Sequence, residues 1–239
     1  AQATGGNCQI GWPNIEGLED IGYPIVEVKP DGTFVVTKHE GTGGLVNASV
    51  VKEQLLYEIG DPTKYMTPDC TADFTSIRLQ DVGPNRVRVF GVRGGERPPA
   101  YKISISYHYG WKAIGTLVFS WPDAVAKARE ADRIVRMRLQ QLGLQFEEVY
   151  TELFGYNACH GPAARPPEHV PEVQLRVGVR GTNRKDIDRF TRELIPLVLS
   201  GPPTATGYGE GRPAVREIVA YWPALVPREN VEPTVEVVE

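Results

Sequence analysis

Between Thr71 and Trp121 the chain shows no helical period. It shows four short β-prone segments, 72–80, 86–93, 101–109 and 115–120, separated by turn signals at Gly83-Pro84-Asn85, Gly94-Gly95 and Gly110. Ile103, Ile105 and Tyr107 alternate with Lys102, Ser104 and Ser106, the two-residue period of a half-buried strand. Connections this short join antiparallel neighbours, because a parallel crossover needs a dozen residues or more. An antiparallel meander is therefore expected here, and the remaining elements must pack around it.

Upstream, residues 25–28 and 33–37 flank Pro30-Asp31-Gly32, which predicts a hairpin. Residues 47–59 place Val50, Val51, Gln54, Leu55 and Glu58 at helical intervals; Asn47 caps this helix, Gly60 follows it and Pro62 prevents its resumption. Downstream, Ala124, Ala128, Ala131, Val135, Leu139 and Leu142 form one apolar stripe, so 123–142 reads as an amphipathic helix that begins at Pro122-Asp123 and ends at Gly143. Residues 144–154 read as a strand, 155–171 as a proline-rich loop and 172–180 as a strand. A third helix over 183–199 turns Ile187, Phe190, Leu194 and Leu197 inward, with Pro196 shortening its last turn. A Gly/Pro-rich loop over 201–213 leads to a β-prone tail, 215–226. The expected fold class is α/β in the broad sense (mixed α+β), with mixed, largely antiparallel sheets and three main helices. The expected subdivision is a glycine-loop and β-meander part, 1–121, and a helix/strand part, 122–239.

A formal net charge of −4 excludes a general nucleic-acid binder, which carries a basic face. No apolar run approaches the roughly 20 residues of a membrane span. Cys8, Cys70 and Cys159 are odd in number and far apart, neither a disulfide framework nor a metal-ligand spacing, and they fit a reducing cytoplasm. The four histidines are scattered, so no metal site is expected. The chain opens on Ala1-Gln2-Ala3-Thr4-Gly5-Gly6-Asn7, residues that look like the middle of a site, and the expectation is a part of a larger polypeptide or complex.

The segment Lys38-His39-Glu40-Gly41-Thr42-Gly43-Gly44-Leu45-Val46-Asn47 is the first candidate for chemistry. Three glycines in four positions let the backbone approach a ligand, and the helix start beyond them favours an anion. In this reading Thr42, Gly43, Gly44 and Asn47 hold a carboxylate or phosphate, Lys38 stabilises developing negative charge and His39 exchanges a proton. In the structural reading the same glycines only connect a strand to a helix. The pattern matches neither the phosphate-loop nor the dinucleotide motif. Thr4, Gly5, Gly6 and Asn7 echo it, and the two loops together would make a broader anion-binding concavity. Asp69, at a strand entry, and His160, in a loop after a strand, are reserve acids or bases.

Gly22-Tyr23-Pro24-Ile25-Val26-Glu27-Val28, Phe34 to His39, Gly41 to Val46, the run Glu53-Gln54-Leu55-Leu56-Tyr57-Glu58-Ile59-Gly60-Asp61-Pro62, Tyr65 to Asp69 and Ala72 to Thr75 resemble the acyclic terpene utilisation (AtuA-like) family. Gly201-Pro202-Pro203 and Val215-Arg216-Glu217 extend the resemblance over nearly the whole chain. It implies a cytoplasmic protein of bacterial isoprenoid breakdown, and it identifies a pathway better than a chemistry. Taken with the glycine-rich segment, the expectation is an enzyme acting on an anionic acyl substrate, an acyl-CoA thioester among the candidates, by hydratase or lyase acid–base chemistry with no metal and no other cofactor. The chain resembles only the second half of the family's core domain. The missing first half is then expected as a separate chain or segment, in an oligomeric assembly. The rival expectation is a non-catalytic scaffold or regulatory subunit, its glycine loop serving only to pack.

Overall fold

The computed structural model describes residues 2–57, 59–165, 168–207 and 211–237. Glu58, placed on the first helical period above, lies outside them, as do residues 166 and 167 of the proline-rich loop and 208–210 of the Gly/Pro-rich one. Two units result, residues 1–103 with 224–239 and residues 104–223. The boundaries fall at 103/104 and 223/224, inside the strands Ala100–Ser120 and Arg216–Pro227, where the expectation put one at 121/122.

In the first unit, β1 (Ile25–Val28) and β2 (Phe34–Thr37) form the expected hairpin, with Glu27 opposite Val35. Asp31 closes its turn by accepting from the Thr33 amide at 2.9 Å and the Thr33 hydroxyl at 2.7 Å. The first helix, α1 (Ala48–Leu56), is capped by Asn47, whose Oδ1 accepts from the Val50 amide at 2.9 Å. It ends before Gly60, because Tyr57 is already extended with ψ of 128°. Two-stranded pairings then join β3 (Tyr65–Met66), β4 (Thr71–Asp73) and β7 (Arg93–Gly94) in the order β3-β4-β7. The expected strand over 72–80 is split. Asp73 Oδ1 accepts from the Thr75 amide at 2.8 Å, and this local bond competes with the ladder and bends Phe74–Ser76 into a 3-10 turn. The chain resumes as β5 (Arg78–Gly83) and β6 (Arg86–Phe90), completing a sheet of order β1-β2-β6-β5. Val36, Val46, Val51, Val87 and Val89 form its core; β-branched side chains suit such a half-buried pleated surface.

Arg86 on β6 reaches across β2 to Glu27 on β1, Nη1 donating to Oε1 at 3.0 Å. That hydrogen bond holds the Glu27 carboxyl below the ordinary glutamate value of 4.5. A depressed carboxyl contributes stability above its unfolded value and loses it as pH falls through the folded one. Glu27→Gln is therefore expected to leave less acid sensitivity below pH 4.5 than the native chain shows, as read by urea melts at neutral and acid pH. Equal acid sensitivity in both proteins would remove this role.

The second unit is built on a sheet of order β11-β8-β10-β9. Its strands are β8 (Ala100–Ser120), β9 (Glu148–Phe154), β10 (Glu172–Gly181) and β11 (Arg216–Pro227). The turn expected at Gly110 is absent, and the strand continues through it. Gly110 has φ of 93°, and a Cβ there would lie 2.7 Å from the Gly181 carbonyl oxygen. This glycine admits the end of β10 rather than reversing the chain. Along β10, Val173, Leu175, Val177 and Val179 are buried in strict alternation, and Leu175 faces Leu117 on β8.

Against this face lies α2 (Ala124–Gln141), through the stripe Ala124, Ala128, Ala131, Val135 and Leu139. Three alanines let its backbone approach the sheet closely. Leu142, expected on that stripe, is exposed because the helix has already ended. On the opposite face of the sheet, Arg176 pairs with Glu152 and Arg180 with Glu148, each directly across from its partner on β9.

The helix expected over 183–199 is two pieces, α3 (Arg184–Phe190) and α4 (Leu197–Ser200). Pro196 has no amide to donate, and the chain between them turns instead by three-residue bonds such as Glu193 N to Phe190 O at 2.9 Å. The inward set survives the break: Ile187, Phe190, Leu194 and Leu197 are all buried. The break also buries Glu193, at 2 % exposure, where Arg138 of α2 donates to it at 2.6 Å and Arg189 of α3 pairs with its other oxygen.

Candidate functional site

The glycine-rich connection between β2 and α1 meets the Thr4-Gly5-Gly6-Asn7 loop, as their shared composition suggests. The Leu45 amide donates to the Thr4 carbonyl at 2.8 Å, and Thr4 is fully buried. What the two loops form is a packed junction. The Gly43 amide donates to the Asp20 carbonyl at 2.9 Å and the Gly44 amide to the Glu16 carbonyl at 2.7 Å. Beyond them the Val46 amide takes Asn85 Oδ1 and the Ala48 amide takes Asp81 Oδ1, both at 2.9 Å. Asn47 spends its side chain on the α1 cap. Even the amides of Gln9 and Ile10, after the first loop, are held by the two oxygens of Glu53, at 2.6 and 3.0 Å. The expectation that the amides of Gly43 and Gly44 hold a negatively charged guest is corrected by this geometry, since the protein's own oxygens occupy them.

The glycines have a steric reason instead. A Cβ on Gly43 would overlap the Gly17 carbonyl, lying 2.6 Å from Gly17 Cα, and one on Gly44 would overlap the Thr4 carbonyl. Lys38 is also committed: its ammonium donates to the Thr42 carbonyl and lies 3.4 Å from Thr42 Oγ1. Thr42 Oγ1 in turn donates to the His39 carbonyl at 2.8 Å. The imidazole of His39 is exposed and makes no hydrogen bond among the described residues. Gly5 and Gly6 turn the first loop, and Asn7 is exposed with φ of 56°. Asp69 is exposed in the turn between β3 and β4, and His160 is exposed in the second unit.

A different part of the first unit forms a cleft. A cleft of about 480 Å³ lies between α1 and the Phe74–Leu79 region, lined by Leu55, Leu56, Phe74, Ile77 and Leu79, with Lys52 and Arg78 also in its wall. This volume is that of an ordinary small-molecule site, mostly apolar with a few polar groups to fix orientation. Its origin lies in how α1 spends its apolar residues. Val50 and Val51 enter the core, while Leu55 is half-buried and Leu56 remains 67 % exposed. Arg78 donates through Nη1 to the carbonyls of Ser76 and Ile77, at 3.1 and 3.0 Å, which fixes its guanidinium. Lys52 has no ion-pair partner among the described residues. A hydrocarbon chain against the leucines and Phe74, with an anionic end at the two cations, matches this lining chemically.

Sequence reasoning missed this cleft. Its one local signal is the pair Leu55-Leu56, which widens the apolar face of a short helix beyond what the core absorbs. Phe74 and Leu79 carry no signal, because they join the cleft only after Asp73 bends the strand.

No helix among the described residues is long and apolar enough to cross a membrane, and no cluster of His, Cys, Asp or Glu among them has the arrangement of a metal site. No curated protein and no solved structure matches the chain. The model of one family, the acyclic terpene utilisation family protein AtuA, matches residues 1–237, and the chain belongs to that family.

Proposed function

We propose that this chain recognises an anionic acyl substrate of acyclic terpene breakdown, an acyl-CoA thioester among the candidates. The hydrocarbon lies in the cleft of Leu55, Leu56, Phe74, Ile77 and Leu79, and the charged end lies at Lys52 and Arg78. The observation that carries this reading is the pairing of an apolar cleft with two cations, one of them fixed by backbone carbonyls. Family membership supports the substrate class. A hydration or lyase step would need a proton carrier; His39, beside the glycine junction and outside the lining of the cleft, carries an exposed imidazole with no hydrogen bond among the described residues.

Isothermal titration calorimetry with a branched isoprenoid acyl-CoA tests the proposal. Phe74→Ala is expected to weaken binding by about tenfold or more, the loss of one buried aromatic contact. Arg78→Gln is expected to weaken it and to flatten its salt dependence. Absence of binding to the native chain, or binding unchanged by both substitutions, would remove it.

The internal packing of the glycine loop favours a second reading, a non-catalytic subunit that presents the acyl group to another chain. Turnover separates the two. A His39→Ala variant that binds substrate but no longer converts it supports catalysis on this chain. Binding with no conversion by the native chain supports the carrier role.

A further inference from the structure

A cleft of about 640 Å³ opens in the second unit where β8 passes into α2, and the family assignment gives it no role. Its lining includes Trp121, Asp123, Arg129, Tyr156, Glu168 and His169. Trp121 is 69 % exposed, yet its backbone is anchored, the amide donating to the Pro171 carbonyl at 2.7 Å. The Arg129 guanidinium lies 5.5 Å over the ring of Tyr156, and no carboxylate pairs with it among the described residues. An unstacked indole on an anchored backbone is a platform for a planar base. A guanidinium steered by an aromatic ring, with an imidazole in the same wall, is a receptor for a phosphate. The carboxylates of Asp123 and Glu168 offer acceptors to sugar hydroxyls, and they limit the negative charge that the cleft tolerates.

We propose that this cleft binds a nucleoside monophosphate, or a larger ligand that ends in one, with the base on Trp121 and the phosphate at Arg129 and His169. The proposal uses other residues than the acyl site and does not depend on it.

Calorimetric titration of the full chain with AMP, adenosine and inorganic phosphate, each at low salt, tests it. AMP is expected to bind, with adenosine and phosphate each at least about tenfold weaker, because stacking and charge act together. Trp121→Ala is expected to weaken AMP by about tenfold, and Arg129→Gln to abolish the preference for AMP over adenosine. Both side chains are exposed, so unchanged melting temperatures should accompany these losses. Phe74→Ala, in the other cleft, should leave AMP binding as it is. No binding of AMP, AMP binding by Trp121→Ala and Arg129→Gln unchanged from the native chain, or phosphate alone binding as tightly as AMP would overturn the proposal.

Discussion

Replacing Gly43 by alanine is expected to destabilise the first unit by about 3 kcal/mol or more, because the new methyl group would fall on backbone rather than on a movable side chain. Gly17 and Gly43 pass with no room for a side chain between them, and the Gly43 amide is tied to Asp20 at 2.9 Å. Neither strand of the junction can withdraw without breaking the bonds at Gly44 and Leu45 as well. Gly60→Ala is the control. Nothing lies within 4 Å of a Cβ there, so it should change stability by no more than about 0.5 kcal/mol. Urea melts of the two variants give the comparison directly. A Gly43→Ala protein as stable as the control would mean that the junction is looser than described, and its amides would again be available to a ligand.

The second large effect concerns Glu193. Its carboxylate is buried, and the guanidinium groups of Arg138 and Arg189 are its charge partners. Removing both arginines together, as Arg138→Ala with Arg189→Ala, leaves a buried carboxylate without compensation and should cost about 3–5 kcal/mol. Adding Glu193→Leu to that pair should restore part of the loss, because the burial penalty disappears with the charge. Both arginine side chains are partly exposed, at 48 % and 38 %, so each single substitution should cost much less than the double. Thermal melts of the native chain and the four variants decide it. Additive small losses would show that the carboxylate is reached by water and needs neither partner.

The parts of the fold that were legible in the sequence are those in which one force acts alone. The stripe on α2 reports burial against a single face, and all of it but Leu142 is buried as the period puts it; the strand read over 172–180 is β10. Elements were misread where a residue serves two purposes. Gly110 reads as a turn, but its missing side chain serves the approach of Gly181. Asp73 reads as a strand residue, yet its oxygen competes with the ladder for the Thr75 amide. Gly43 and Gly44 illustrate the same ambiguity at the level of function: close approach to a ligand and close approach to another part of the backbone require the same residue. Only the partner atoms distinguish the two, and they come from residues 4, 16 and 20, outside any local window. The cleft on α1 was hidden for a related reason, since Leu55, Phe74 and Leu79 belong to three separate elements.

The arginine–glutamate pairs between β9 and β10 constrain how this sheet can go wrong. Slippage by one residue would drive Arg176 and Arg180 into the layer under α2 and turn Val177 and Val179 out to water, so the two strands have one tolerable alignment. The outer strand also carries Glu148 and Glu152 along its rim. A second chain adding itself to that rim would have to desolvate the ion pairs they make with Arg180 and Arg176, which makes it a poor seed for fibrillar growth.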